Sequence, residues 1–204
     1  MTQINLGSWE SVVAGLRCKD GIILAGTKNI SYGYLVLSKA GKTVEVIDNV
    51  GFAFSGHVSD LQSLVKEIRF EMQYWKYTLD RPLTTSAIAH RLGLLLYSWK
   101  LFPYITFSIV GGYDKIPVEG FHLYTLDPVG SVMEEKYAAS GTSTEVAIGV
   151  IEENYDENMS LEEGKKLILD AMRSVSKRDV LAGKFIDLAI ITKSGSKVET
   201  IELK

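Results

Sequence analysis

This chain of 204 residues has few cysteines and prolines, and its net charge is small. Its one cysteine, Cys18, excludes an internal disulfide. Its net charge of −3 gives no electrostatic reason to expect a nucleic acid or an anionic membrane as a partner. The longest apolar runs, such as 93–97 and 189–191, are far shorter than the roughly 20 residues of a membrane-spanning helix. We therefore expect neither nucleic acid nor membrane among the partners.

The sequence also lacks the short motifs that hold metals and cofactors. HExxH, CxxC, GxGxxG and the phosphate-binding loop are absent, and His57, His90 and His122 are not spaced as metal ligands. We expect these histidines to be structural or surface residues, and we predict no metal, nucleotide or other cofactor.

The lone cysteine lies in an alternating apolar segment that is typical of a strand. Its neighbours Arg17 and Lys19 point to the opposite face of such a strand, so they do not surround the thiol with positive charge. We therefore expect Cys18 to be a small buried hydrophobe and not a nucleophile.

The remaining composition is that of one ordinary globular domain. Hydrophobic residues make up 46% of the chain and charged residues 23%. The length allows a substantial core, and no repeat, linker or low-complexity tract divides the chain. The opening MTQINLGSWE has no basic region followed by an apolar run, so we expect no signal peptide and a cytoplasmic location.

Hydrophobic periodicity predicts strands and helices in alternating groups. The Asp20-Gly21 turn predicts a hairpin near the start. Ser59 or Asp60 is predicted to cap the first helix, and Ser160 with Glu163 forms a capping-box pattern. Strands are predicted at 11–17, 22–26, 35–37, 44–47, 52–55, 105–110, 121–126, 132–138, 186–192 and 197–203, and helices at 59–77, 84–100, 142–155 and 160–179.

This order predicts a fold built in layers, either α+β or α/β. Two groups of strands with two pairs of helices can bury both faces of each sheet when the helices lie outside.

Several segments, taken together, resemble the β subunits of the proteasome core particle, archaeal type. The opening stretch carries Gly15, Cys18-Lys19-Asp20-Gly21 and Ser38-Lys39 in the family's order. The resemblance implies the four-layer αββα sandwich of N-terminal nucleophile hydrolases, with 1–10 as a propeptide-like extension, predicted uncleaved, and 11–204 as one β-type domain. Further matching segments are 54–60, 109–114, 126–130, 137–141 and 186–192.

The catalytic positions of that family are substituted here. The family uses an N-terminal Thr, an Asp sixteen residues later and a Lys thirty-two residues later, and the matching positions hold Ser11, Thr27 and Thr43. A hydroxyl is a weak nucleophile without a base or an electropositive neighbour. Neither Thr27 nor Thr43 supplies charge, so we expect no catalytic residue in this chain.

The supporting positions are partly retained. Gly56 matches the family glycine whose N–H serves the oxyanion hole, and Thr142 and Asp179 match residues that support the nucleophile. Ala182 stands where the family has a Ser. Gly56 is equally consistent with a strand-to-helix turn, and Thr142 with a helix N-cap.

Three functions remain open at this point. The preferred hypothesis is a structural, chamber-lining subunit that pairs with α subunits and with catalytic and other β subunits in stacked seven-membered rings, around unfolded polypeptide substrates. The second is an active peptidase that uses Ser11 after cleavage of the Glu10–Ser11 bond, although the family usually has Gly where Glu10 stands. The third is a non-proteolytic scaffold with the same fold.

Overall fold

The computed structural model describes residues 11–32, 35–39 and 41–203, although the side chain of Tyr32 is excluded. The predicted extension at 1–10 lies outside these residues, and its uncleaved state remains a prediction. Twelve strands occur in the described part of the chain. They are β1 (Val12–Cys18), β2 (Gly21–Thr27), β3 (Ile30–Tyr32), β4 (Leu35–Ser38), β5 (Val44–Ile47), β6 (Val50–Gly56), β7 (Thr106–Asp114), β8 (Gly120–Leu126), β9 (Val132–Glu134), β10 (Tyr137–Gly141), β11 (Phe185–Thr192) and β12 (Gly195–Glu202).

Ten of these strands form two antiparallel five-stranded sheets. Sheet 1 has the order β10-β1-β2-β11-β12, and sheet 2 has the order β5-β6-β7-β8-β9. The strands β3 and β4 form a separate two-stranded ribbon. The predicted Asp20-Gly21 hairpin is present, because β1 and β2 pair from Val13↔Gly26 to Cys18↔Gly21.

Within the described residues, four helices cover the outer faces of the two sheets: α1 (Val58–Leu79), α2 (Thr85–Ser98), α3 (Thr144–Asn154) and α4 (Leu161–Arg178). One core joins α1 and α2 to sheet 2, for example through Leu64, Leu92 and Phe52. A second core joins α3 and α4 to sheet 1. A third lies between the sheets and includes Val13, Ile109 and Ala189. The predicted α+β four-layer αββα sandwich is therefore confirmed.

The local predictions at the helix starts had mixed outcomes. The capping box of α4 is present, with the Glu163 backbone N–H donating to Ser160 and the Ser160 backbone N–H donating to Glu163. The predicted cap of α1 is wrong, because α1 has His57 as its N-cap residue without a side-chain bond. Asp60 instead accepts a hydrogen bond from the Ile105 backbone N–H at 2.8 Å, which ties α1 to the residue directly before β7.

Two strand predictions also differ from the fold. The predicted strand at 132–138 is divided into β9 in sheet 2 and β10 in sheet 1, because the chain crosses between the sheets at 135–136. The short β3 was not predicted. None of the helices in the described part of the chain is long and apolar enough to span a membrane.

Candidate active site

The fold brings Ser11, Thr27 and Thr43 together at one end of the two sheets. Ser11 directly precedes β1, Thr27 ends β2, and Thr43 directly precedes β5. All three are buried. The Val12 backbone N–H donates to Thr27 Oγ1 at 3.0 Å, and Thr43 Oγ1 donates to the Thr27 carbonyl at 2.9 Å. Thr27 thus links Thr43 to Val12, the residue after Ser11, through neutral hydrogen bonds.

The hydroxyl of Ser11 has a backbone partner. Ser11 Oγ donates to the carbonyl oxygen of Phe54 at 3.4 Å. A carbonyl does not remove a proton from a hydroxyl at neutral pH, so this contact orients Ser11 without activating it.

The lysines next to the substituted positions are bonded elsewhere. Lys28 follows Thr27, and its Nζ donates to both carboxylate oxygens of Asp187, at 2.9 and 2.8 Å. Lys42 precedes Thr43, and its Nζ lies 2.6 Å from Glu45 Oε2. Each ammonium group is thereby held by a carboxylate outside the Ser11–Thr27–Thr43 cluster.

Gly56 is the last residue of β6 and directly precedes His57, the N-cap residue of α1. Its φ of +124° belongs to the region that favours glycine, and a Cβ there would lie 2.1 Å from the Ile105 carbonyl oxygen. The backbone therefore requires glycine at the strand-to-helix turn, whatever the role of its N–H group.

The predicted supporting residues form a hydrogen-bonded cluster. Thr142 Oγ1 donates to Asp179 Oδ2, and Ser143 Oγ donates to the same oxygen at 2.9 Å. Asp179 Oδ1 accepts from the Leu181 backbone N–H at 2.8 Å. The N-cap residue of α3 is Ser143, so Thr142 is not the cap. The fourth supporting position, Ala182, is buried and supplies no hydroxyl.

The backbone of Gly141 brings this cluster close to Ser11. Gly141 has a φ of +117°, and a Cβ there would lie 1.9 Å from the Ser11 carbonyl oxygen. Only glycine allows this approach. Gly141, which joins β10 to Thr142, therefore holds the cluster of Thr142, Ser143 and Asp179 close to Ser11.

Among the described residues, Ser11 borders a cleft of about 560 Å³, called the inter-sheet cleft below. It also borders a hollow of about 20 Å³, called the small hollow, which Ile30, Thr43 and Leu61 border as well. The inter-sheet cleft is bordered by Ser11, Ser55, Gly56, Ile105, Phe107, Ser108, Ile109, Thr125, Leu126, Asp127, Met133, Ala139, Ser140, Gly141, Thr142 and Thr144.

Sequence reasoning missed three features around this site. They are the Ser55–Ser140 hydroxyl pair at 2.8 Å, the bond from Ser143 to Asp179, and the ion pair of Lys28 with Asp187. Each joins residues that are more than thirty positions apart, so no local pattern could reveal it. In residues 11–32, 35–39 and 41–203, no three His, Cys, Asp or Glu side chains converge as a metal site would need.

Cys18 lies away from this site, against α4. Its side chain is buried, and burial raises the pKa of the thiol to about 12, with smaller contributions from Asp20 and Glu163. The thiol is therefore protonated and inert at neutral pH, as expected for a structural cysteine.

The profile of the proteasome subunit family matches residues 10–191 of this chain. Proteasome subunit beta 1 of Desulfurococcus amylolyticus is 40% identical over 191 residues, which cover 93% of each chain. Proteasome subunit beta 1 of Ignicoccus hospitalis is 38% identical, over 95% of this chain and 97% of its own length. Proteasome subunit beta 2 of Pyrobaculum aerophilum is 35% identical over 95% of both chains.

These matches extend over most of the chain and agree with the layered fold and with the position of Ser11 between the two sheets. The chain belongs to the proteasome subunit family and is of its archaeal β type.

Proposed function

We propose that this chain is a catalytically silent β subunit of a proteasome core particle. It pairs with α subunits and with other β subunits in stacked seven-membered rings and lines the chamber that holds unfolded polypeptides. Peptide hydrolysis comes from a β partner that retains Thr, Asp and Lys. We propose the cytoplasm as its location.

The observation that carries this proposal is the neutral hydrogen bonding of the Ser11–Thr27–Thr43 cluster. Thr27 accepts from the Val12 N–H where a carboxylate would stand, and Thr43 donates to a carbonyl where an ammonium would stand. Without that charge pair, no charged side chain at positions 27 and 43 stabilises the negative charge that Ser11 Oγ would develop as a nucleophile. The neighbouring lysines do not replace it, because Asp187 and Glu45 hold them.

A second candidate function is hydrolysis by Ser11 after cleavage of the Glu10–Ser11 bond. The retained cluster of Thr142, Ser143 and Asp179 favours it, because these side chains still lie close to the Ser11 backbone. A released amine at Ser11 is a base that the uncut chain lacks.

Intact-mass measurement of the subunit within its purified assembled particle separates the two candidates. We expect a mass that retains Glu10, together with α and catalytic β subunits in the same particle. A subunit that begins at Ser11 would favour the peptidase, and co-purification without α subunits would contradict assembly into a core particle.

The same particle tests the assignment of hydrolysis to the partner. Replacing the nucleophile of the catalytic β partner is expected to abolish peptide hydrolysis, whereas Ser11→Ala in this subunit is expected to leave it unchanged. Loss of activity in the Ser11→Ala particle, with assembly intact, would contradict the proposal.

A further inference from the structure

A further cavity lies between α1 and α2, away from Ser11. Its volume is about 220 Å³, and it is open to solvent because the exposed residues Glu67, Arg91 and Leu94 are part of its lining. No described residue lines both this cavity, called the helix cavity below, and the inter-sheet cleft or the small hollow. Protein interiors leave few voids larger than a water molecule. A cavity of this size therefore has room for a ligand.

The walls of the helix cavity are apolar. They come from α1, from α2 and from the segment that joins them, and they are continuous with the core between these helices and sheet 2. An apolar cavity of about 150 Å³ is sufficient to bind one molecule of benzene. The helix cavity is larger, so it accommodates one aromatic ring or a branched hydrocarbon of similar size, with a short side arm. The wall residues are Ile68, Met72, Leu83, Ile88, Leu92 and Leu95.

An ion pair joins the two helices beside the cavity. Arg91 Nη2 on α2 donates to both carboxylate oxygens of Glu71 on α1, at 2.8 and 2.7 Å. The indole N–H of Trp75 donates to the same carboxylate at 2.9 Å. This charge-assisted contact holds α1 and α2 at a defined separation. A ligand therefore enters a cavity whose walls need little rearrangement.

Glu67 gives the cavity an unbalanced negative charge. It is exposed on α1, one turn before Glu71, and it has no hydrogen bond or ion pair with another described residue. Arg91 also lines the cavity, but its guanidinium group is held by Glu71. The charged lining residues are thus two carboxylates and one guanidinium, which gives a net charge of −1. A positive group on a ligand complements this charge at the exposed side of the cavity.

Size and charge together define the ligand. The helix cavity is smaller than the pockets of roughly 300–1,000 Å³ that hold drug-sized molecules, so it takes one compact group. An anion is repelled by Glu67. A fully polar cation would lose water against the apolar walls without gaining a hydrogen bond in return.

We propose that the helix cavity binds a small amphiphilic cation. One aromatic ring or branched hydrocarbon group of this ligand lies against the apolar walls, and its ammonium group lies beside Glu67. The inference is independent of the proposed function, because the helix cavity contains none of the residues on which that function rests.

Methionine methyl groups provide a direct reporter of binding. The chain has five methionines, and among the described ones Met72 alone lines the helix cavity. The test is an NMR titration of the full chain, with isotope-labelled methionine methyl groups, by phenethylamine. The Met72 signal, identified through Met72→Leu, is expected to shift saturably with a Kd of about 1 mM. The signals of Met133, Met159 and Met172 are expected to stay unchanged, because these residues lie outside the cavity.

Three probes separate the contributions of ring and charge. Phenethyl alcohol keeps the ring but replaces the ammonium group by a neutral hydroxyl, and phenylacetate replaces it by a carboxylate. Relative to phenethylamine, we expect the alcohol to bind about threefold more weakly and phenylacetate about tenfold more weakly, because an exposed charge contributes modestly. Ethylamine lacks the ring and is expected to give no saturable shift of Met72.

Matched variants locate the site. Glu67→Gln is expected to remove the preference for phenethylamine over phenethyl alcohol, whereas Glu153→Gln, at an exposed position on α3, is expected to preserve it. Leu95→Phe places a larger side chain in the cavity and is expected to abolish the Met72 shift. In that variant the signals of Met133, Met159 and Met172 report whether the fold is retained.

A Met72 signal that does not shift saturably with phenethylamine, or that shifts equally with phenylacetate, would overturn this inference. Equal loss of the preference for the amine in Glu67→Gln and Glu153→Gln would also overturn it, as would undiminished binding by a folded Leu95→Phe chain.

Discussion

At the scale of single residues, the site is held together by hydroxyl groups where the family has charges. Thr43 is nearly fully buried and donates to the Thr27 carbonyl, while Thr27 Oγ1 accepts from the Val12 N–H. Neutral hydrogen bonds at these positions avoid the cost of burying an ion. The substitutions at 27 and 43 therefore depend on each other, because either charge alone would be unpaired in this setting.

Restoring the charges one at a time tests this dependence. Thr43→Lys is expected to lower the free energy of unfolding by about 3–5 kcal/mol, because it buries an unpaired ammonium group. Adding Thr27→Asp is expected to recover about 1–3 kcal/mol through the new pair, since Asp also accepts from the Val12 N–H. Urea unfolding of both single variants and the double variant measures the coupling.

Thr78→Lys is the matched control for this cycle, because Thr78 is exposed near the end of α1. Its effect is expected to stay within about 0.5 kcal/mol. A double variant whose loss equals the sum of the two single losses would show that positions 27 and 43 do not interact.

Cys18 gives a second prediction at this scale. Burial, with Asp20 and Glu163, raises the pKa of its thiol to about 12 from the ordinary 9.0. At pH 8 the thiolate fraction is then about a thousandfold lower than that of a free cysteine. Alkylation by iodoacetamide is expected to be very slow in the folded chain and fast in denaturant. Rapid alkylation of the folded chain at pH 8 would show that the thiol is accessible and ionisable.

At the scale of elements, local sequence signals identified turns and caps where the partners are close in sequence. The capping box of α4 and the Asp20-Gly21 hairpin each involve residues within four positions, and both were predicted. The start of α1 was predicted wrongly, because Asp60 accepts a hydrogen bond from the N–H of Ile105, just before β7, instead of capping its own helix. A partner that is distant in sequence can thus override the preference of an Asp or Ser side chain for capping its own helix.

The two helix starts supply a matched pair of substitutions. Ser160→Ala is expected to cost about 1 kcal/mol of stability, because it leaves the Glu163 N–H without its capping partner. Ser59→Ala is expected to change stability by less than about 0.5 kcal/mol, because the Ser59 hydroxyl bonds the neighbouring Asp60 and caps nothing. Thermal unfolding of both variants measures the difference. Equal losses would mean that the two serines play the same part.

At the scale of the whole molecule, the sequence pattern predicted the layers of the fold. The identification of Ser11, Thr27 and Thr43 as the family's catalytic positions depended on a family resemblance. Hydrophobic period and element order predicted layers of helices and sheets but left α+β and α/β both open. The family resemblance implied the four-layer αββα sandwich. The proximity of Ser11, Thr27 and Thr43 was available only through that resemblance. The inter-sheet cleft was not predictable, because it arises from the position of β10 relative to β7–β9, which no local pattern encodes.

The fold therefore preserves the frame of a hydrolytic site while its charged centre is absent. Gly141 brings the end of β10 against Ser11, and Asp179 accepts hydrogen bonds from Thr142 and Ser143. Geometry without a base or a cation orients a hydroxyl but does not activate it. We propose that a subunit of this kind contributes surfaces to an assembly and leaves the chemistry to its partners.

The most direct test of this account is hydrolysis of a fluorogenic peptide by the pure chain, compared with its Ser11→Ala variant. We expect both proteins to give the same rate, indistinguishable from buffer. Robust hydrolysis by the unaltered chain, abolished by Ser11→Ala, would contradict the account.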